Sequence, residues 1–231
     1  MYYGLIIISI VFAGIGWLLS QRLRSVFAKY ARVPIASGMN GAEVAAAMLR
    51  HYGISNVRIT QGQGTISDHY NPADRTVNLS PEVYQGRNVS AAAVAAHECG
   101  HAVQHATAYS MLQLRSKLVP VVSISAKLQQ YLFMFGFMLI GANSYFGQTL
   151  LLVAIVAFAI TAAFALVTLP VEFDASRRAL AWLETSGTAV GVEHAGAKTT
   201  LWWAAMTYVA AALAAVTQLL FLLTRFLGSR D

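Results

Sequence analysis

Charged side chains are scarce in this sequence. Only 11% of the 231 residues are Asp, Glu, Lys or Arg, whereas 57% are apolar. A soluble globular domain usually carries about 25% charged residues. The shortage therefore excludes an ordinary soluble domain and predicts a membrane protein.

Cysteine is nearly absent as well, because Cys99 is the single one in the chain. One cysteine excludes an internal disulfide framework, so the sequence gives no support to an oxidising compartment. Lys and Arg outnumber Asp and Glu by 16 to 10, which gives a net charge of +6. The basic residues lie beside apolar runs, and no nucleic-acid-binding motif accompanies them. We therefore expect the lipid bilayer, and no nucleic acid, as a partner.

Long uncharged runs are what the sequence has in abundance. Residues 2–20 are long enough to span a bilayer, and the basic residues follow the run, unlike those of a cleaved signal peptide. Residues 131–169 contain no charge over about twice the length of one crossing, and the turn-like sequence GANSYFGQ divides them. A last run begins with two tryptophans, as at a membrane interface. We predict four membrane helices, at residues 1–20, 118–142, 150–169 and 201–223.

Two polar segments separate these helices, residues 21–117 and residues 170–200. An even number of predicted crossings lies between them, so both are expected on the same side of the membrane. Most Lys and Arg residues lie in these segments, which makes that side cytoplasmic, whereas Arg225 and Arg230 argue weakly for the opposite orientation. The predicted fold is mainly α, a multi-pass protein of the cell membrane with a small α+β portion facing the cytoplasm.

The first polar segment contains several local signals. NGAEVAAAMLRHYG predicts a helix with Asn40 as N-cap, Glu43 in its first turn and Gly53 as its stop. NVRIT and RTVNLS are strand-like, with NPADR as a turn before the second. A long helix follows, and we predict Ser90 as its cap. The glycosylation sequon that ends at Ser90 is expected to serve the start of this helix, because the segment is predicted to be cytoplasmic.

That long helix carries the sequence HECGH, which fits the pattern H-E-x-x-H. Four residues advance a helix by slightly more than one turn, so His97 and His101 share one face and can bind one metal ion. Zinc suits such ligands, and Glu98 is placed to act as the general base of a metalloprotease. Chance produces the pattern about once per hundred chains of this size. However, His and Glu are costly in an Ala-rich helix unless a partner binds them.

Other histidines and the cysteine are expected to have different roles. His105 continues the four-residue spacing but lies too far along the helix to join the same ion, and Cys99 faces away as a small packed thiol. His51, His69 and His194 are expected at the surface, although His69 or His194 could stabilise an oxyanion.

Four stretches in this order resemble a known family. SDHYNPADRTVNLSPEVY, VSAAAVAAHECGHAVQH, LPVEFDASRRAL and TYVAAA are similar to the YugP-type membrane-bound neutral zinc metallopeptidases, over about residues 35–212. The resemblance implies a zincin-like cytoplasmic portion, a zinc cofactor and a peptide or membrane-protein substrate. The layout is also similar to the HtpX-type and CAAX-protease gluzincins, in which a Glu after intervening membrane helices is the third ligand.

The resemblance implies that Glu172 is this third zinc ligand. From the residues alone, a second interpretation is equally good: Glu172 and Asp174 follow Pro170, where a helix start favours acids. Asp174 is expected to pair with Arg178 four residues later. HtpX-type proteins carry an Asp four residues after the ligand, whereas this chain has Ser176.

The strand RTVNLS precedes the metal-binding helix. In zincin-like enzymes an edge strand beside the metal pairs with extended substrate, and main-chain pairing would give affinity with little sequence preference. We expect either this role or that of a structural hairpin strand.

The leading functional prediction is a zinc-dependent endopeptidase with its active site at the cytoplasmic membrane face. A site-2-type intramembrane protease is the first alternative, but His97 lies in a polar segment and no L-D-G motif occurs in a later span. The second alternative is a non-catalytic zinc-stabilised membrane scaffold or regulatory protein.

Overall fold

The computed structural model describes residues 2–63, 68–139 and 145–228. The chain is mainly helical, at 77%, and has one small sheet. The described residues form seven helices and three strands: α1 Tyr2–Tyr30, α2 Gly41–His51, β1 Arg58–Gln61, β2 His69–Asn71, β3 Thr76–Leu79, α3 Pro81–Gln85, α4 Val89–Ala106, α5 Ser110–Leu139, α6 Tyr145–Thr185 and α7 Val192–Leu227.

Three of these helices are long and apolar enough to cross a membrane: Tyr3–Tyr30, Thr149–Thr185 and Val192–Leu227. This agrees with the predicted membrane protein. The predicted span 118–142 falls mostly on α5, which is not among the three, so the count of four remains a prediction. The first half of the predicted GANSYFGQ turn lies outside the described residues.

The chain forms two compact units. The first comprises residues 1–18, 114–169 and 207–231, and the second comprises residues 19–113 and 170–206. All residues of the predicted zinc site belong to the second unit, which also contains the sheet.

Helix α4 lies at the centre of the second unit. Its alanines pack with α2, α3 and the sheet because their small side chains let these elements approach closely. The alanine run is therefore the core-facing surface of a helix with neighbours on most sides. Six of its alanines are at most 1% exposed: Ala91, Ala92, Ala93, Ala95, Ala96 and Ala102.

The caps of α2 and α4 test two of the sequence predictions. In α2 the prediction is confirmed: Asn40 and Glu43 form a reciprocal capping box, and Gly53 adopts φ +66° just beyond the helix.

In α4 the prediction that Ser90 is the N-cap is wrong. Asn88 is the cap and accepts a hydrogen bond from the amide of Ala91 at 2.9 Å. Ser90 is buried inside the helix, where its hydroxyl donates to the carbonyl of Phe27.

The sheet has the strand order β1, β3, β2. Strand β3, within RTVNLS, is central: it pairs in parallel with β1 and antiparallel with β2. Of the two roles expected of RTVNLS, that of an edge strand for substrate is therefore wrong, and that of a structural hairpin strand is confirmed. Strand β2 has the sequence HYN and no β-branched residue, so it was not recognised as a strand. The predicted NPADR turn connects it to β3, with which it pairs.

Helix α6 runs without interruption through Pro170. Glu172 and Asp174 are therefore not at a helix start, and that interpretation of the two acids is wrong. Helices α4 and α6 approach closely at Gly100. A Cβ atom on Gly100 would lie 2.5 Å from the carbonyl oxygen of Ala175, well inside normal contact. Glycine at this position lets the backbones of the two helices touch.

We predict that Gly100→Ala destabilises the protein by about 1–3 kcal/mol, because the added methyl group meets backbone that cannot move aside cheaply. Alanine otherwise stabilises a helix relative to glycine. Gly14→Ala is the matched control, since Gly14 lies within α1 with nothing within 4 Å of the added atom. Thermal unfolding in detergent measures both variants. A Gly100→Ala variant as stable as Gly14→Ala would contradict the close contact.

Candidate metal centre

Three side chains that can ligate a metal converge in the second unit. Helix α4 presents His97 and His101 one turn apart, and α6 contributes Glu172 between them. The Oε2 atom of Glu172 lies 3.3 Å from Nε2 of His97 and 3.7 Å from Nε2 of His101. All three ligand atoms lie within 4.8 Å of one another. The histidines of α4 and Glu172 of α6 are thus neighbours, although the whole of α5 lies between them in the sequence.

The two distances from Glu172, 3.3 and 3.7 Å, are close to the spacing of donors around a zinc ion. Zinc bonds to nitrogen and oxygen are about 2.0–2.2 Å long, so two donors at a tetrahedral angle lie about 3.3–3.6 Å apart. Two imidazoles and one carboxylate are also a donor set that zinc accepts, with one position left for water or substrate. The residues present therefore fit the cofactor that the sequence predicts.

Burial and charge at the cluster favour a cation. Glu172 is 3% exposed and His101 is 8% exposed, so an isolated charge on either would be costly. Burial is the largest influence on the pKa of His101 and acts to lower it. The hydrogen bond to Glu172 and the negative charges of Glu98 and Glu172 outweigh burial and leave the pKa of His101 raised. A positive charge is thus stabilised at this point, and a metal ion would supply it.

The other nitrogen of each imidazole has its own partner. Nδ1 of His97 lies 3.1 Å from the hydroxyl of Ser176, and Nδ1 of His101 lies 3.0 Å from the side-chain carbonyl of Gln104. Both Nε2 atoms are consequently directed at Glu172. Ser176 lies four residues after Glu172 on α6, so the same helix supplies a ligand candidate and the partner of His97.

Gln104 extends this network to α6. Its amide nitrogen donates to the carbonyl of Val171 at 2.8 Å and to Oδ2 of Asp174 at 2.9 Å. The predicted pair of Asp174 with Arg178 is confirmed, with Nε and Oδ2 2.6 Å apart, and Arg177 also contacts Asp174. The sequence prediction missed Gln104, although a polar residue three positions after His101 in an Ala- and Val-rich helix was a signal.

Glu98 stands beside the cluster without belonging to it. The three converging ligands are the two histidines and Glu172. Glu98 is 8% exposed, and its Oε2 atom accepts a hydrogen bond from the amide of Tyr70 at 3.0 Å. The donor is the backbone of β2, so the strand that the sequence prediction missed positions the predicted general base.

The remaining candidates lie apart from the cluster. Cys99 is fully buried, its thiol faces the carbonyl of Ala45, and burial raises the pKa of the thiol, as expected of a packed side chain. His105 is exposed and its Nδ1 lies 2.7 Å from the hydroxyl of Tyr70. His51 is exposed and packs edge-on against Tyr52.

The suggested role of His69 or His194 in stabilising an oxyanion stays a prediction. His69 is exposed on β2, with Nε2 3.3 Å from the side-chain nitrogen of Asn78. His194 is half-buried in the first turn of α7. Its Nε2 atom is buried and has no hydrogen-bond partner among the described residues.

Comparison with known proteins shows the family of the chain. Residues 5–227 match the family described as "Putative neutral zinc metallopeptidase". The chain is also 40% identical over 226 residues to "Putative membrane protease YugP" of Bacillus subtilis (strain 168), with 98% of each chain covered. No solved structure matches the chain. Because both matches extend over nearly the whole chain, the chain belongs to the family of putative neutral zinc metallopeptidases.

Proposed function

We propose that this protein is a membrane-embedded, zinc-dependent endopeptidase whose active site faces the cytoplasm. The observation that carries the proposal is the convergence of His97, His101 and Glu172, with the carboxylate of Glu98 beside them and outside the ligand set. A structural zinc site closes all four positions with protein ligands, whereas this arrangement offers three and a neighbouring base.

The residues divide the chemistry between them. When bound, zinc would act as a Lewis acid that polarises the substrate carbonyl and makes water a stronger nucleophile at neutral pH. Glu98 would accept the proton of the attacking water and transfer it to the leaving amine, as a positioned general base and acid does. The amide of Tyr70 holds one oxygen of Glu98, which fixes the direction from which the other oxygen receives the proton. The substrate is a peptide or a membrane protein.

The ligand positions also support four membrane crossings. His97 and Glu172 are neighbours, so the chain between them must cross the membrane an even number of times to return to one side. The apolar part of α6 before Glu172, residues 150–169, accounts for one crossing. Helix α5 then supplies the other, as the predicted span 118–142 requires. The basic loops place the shared side in the cytoplasm.

The two alternative functions are less consistent with this arrangement. An intramembrane protease of the site-2 type keeps H-E-x-x-H within a membrane span, whereas α4 is not among the candidate spans of the described residues. A zinc-stabilised scaffold would need the three ligands, but it would not need the buried carboxylate of Glu98 beside them. Glu98 therefore separates enzyme from scaffold experimentally.

We predict one zinc ion per chain, held by His97, His101 and Glu172. Replacing any of the three with Ala should remove most of the zinc and lower the thermal stability, because metal binding contributes to folding free energy. Elemental analysis of the purified protein measures the metal. Glu184→Ala is the matched control, an exposed acid on the same helix as Glu172. Full zinc content in Glu172→Ala would mean that another acid is the ligand.

We predict that Glu98→Gln keeps native zinc content and stability but lowers peptide cleavage by about 10²- to 10⁴-fold, the usual contribution of general acid and base catalysis. The amide has the shape of the carboxylate, and its oxygen can still accept the hydrogen bond from Tyr70. Cleavage of a mixed peptide library measures the rate, and a chelator should abolish the native activity until zinc is added back. A zinc-loaded native chain that cleaves nothing, or cleavage unchanged in Glu98→Gln, would favour the scaffold.

The orientation gives a further prediction, measured with a membrane-impermeant thiol reagent on a Cys99→Ala background. Ser55→Cys, exposed in the second unit, should react only after the cells are permeabilised, whereas Gly228→Cys near the end of α7 should react in intact cells. Reaction of Ser55→Cys in intact cells would place the site outside.

A further inference from the structure

Gln104 is a buried polar residue with a complete set of partners. Its side chain is 0% exposed, and burying an amide is costly unless its carbonyl and its N–H groups are all hydrogen-bonded. Here the carbonyl faces Nδ1 of His101, and the amide nitrogen faces Val171 and Asp174. Every polar group of this side chain therefore has a hydrogen-bond partner, although the pattern H-E-x-x-H does not extend to position 104.

The partners determine which way the amide points. The carbonyl of Val171 is only an acceptor, and Asp174 is a carboxylate paired with Arg177 and Arg178. The group that faces both must therefore be the NH₂ group, which leaves the amide oxygen facing His101. Since that oxygen is only an acceptor, Nδ1 of His101 must carry the proton. In the neutral form of the imidazole, Nε2 then carries the lone pair that binds a metal.

The same contacts link the two helices that carry the ligands. Val171 and Asp174 flank Glu172 on α6, one residue before it and two residues after it. Gln104 lies three residues after His101 on α4. One side chain therefore holds a turn of α6 against a turn of α4 in the register that brings Glu172 to His101.

We propose that Gln104 is a positioning residue of the metal centre, which sets the tautomer of His101 and the register of His101 with Glu172. This inference rests on the proposed function of the cluster as a zinc site. In metal sites a histidine often donates its second N–H directly to a carboxylate, which makes the imidazole more basic. Here a neutral amide stands between His101 and the carboxylate of Asp174, and the neutral hydroxyl of Ser176 serves His97. The Nδ1 atoms of the two histidines therefore face neutral groups and no carboxylate.

The experiment compares zinc affinity in the purified full-length chain and its variants by competition with a chromophoric chelator. Thermal unfolding of the metal-free protein reports structure separately. Gln104→Leu should weaken zinc binding by about 10- to 100-fold, the usual effect of removing a residue that orients a ligand. The visible spectrum of the Co²⁺-substituted protein should also change. Gln113→Leu is the matched control, an exposed glutamine in the second unit, and should bind zinc as the native chain does.

An exchange of the two polar groups tests the hydrogen-bond directions without removing either residue. Gln104→Glu alone places two carboxylates together and should weaken zinc binding as much as Gln104→Leu. Adding Asp174→Asn supplies an amide that can donate to the new carboxylate, which still accepts from His101. The carbonyl of Val171 stays without its donor in both variants. Affinity should therefore rise above that of Gln104→Glu without reaching the native value. Asp174→Asn alone is the baseline, since Gln104 can still donate to its carbonyl.

The outcomes separate this inference from the proposed function. If the native chain binds no zinc, the proposed function fails and the inference fails with it. If the native chain binds zinc and Gln104→Leu lowers only the unfolding temperature, with native affinity and cobalt spectrum, Gln104 is a core residue and the inference alone fails. Should Gln104→Leu not fold, the exchange decides: a double variant that binds zinc no better than Gln104→Glu overturns the proposal.

Discussion

The contact between Gly100 and Ala175 is the constraint on which the rest of the second unit depends. A side chain at position 100 would push α6 away from α4 and separate the groups that the two helices bring together. Glu172 reaches the two imidazoles, Ser176 reaches His97, and Gln104 reaches Val171 only because the backbones touch. The buried alanines of α4 continue the same principle on its other faces, where α2 and the sheet approach. The small residues thus determine where the few polar groups meet.

Each buried carboxylate at the site has groups beside it that can offset its charge. Glu172 is nearly inaccessible and has two imidazoles beside it. Asp174 is equally buried, but its charge is offset by Arg177 and Arg178, whose side chains are more exposed, at 77% and 25%. Neutral amide and hydroxyl groups fill the space between these charges. Buried charges are tolerated only when paired and hydrogen-bonded, so the network stabilises the site as a unit.

Local signals in the sequence were sufficient for the parts that local physics determines. The capping box of α2, the shared face of His97 and His101, and the pair of Asp174 with Arg178 all follow from spacing along one helix. The cap of α4 was misplaced by two residues because Asn and Ser cap equally well and only tertiary contacts distinguish them. Strand β2, the partners of Gln104 and the contact of Tyr70 with Glu98 depend on residues far apart in sequence. No periodicity records such contacts, and glycine at position 100 gave no sign that a second helix touched it.

The distance along the chain between the two ligand helices also sets an order of events during synthesis. Ser176 follows His97 by 79 residues, and the chain between them contains α5 and the apolar part of α6. A nascent chain therefore carries the two histidines and the base long before it carries the carboxylate that completes the cluster. Until α6 has emerged and been inserted, the ribosome-bound protein has half a metal site and no closed network around it. The set of three converging ligands is thus complete only after the part of α6 that carries Glu172 has been synthesised.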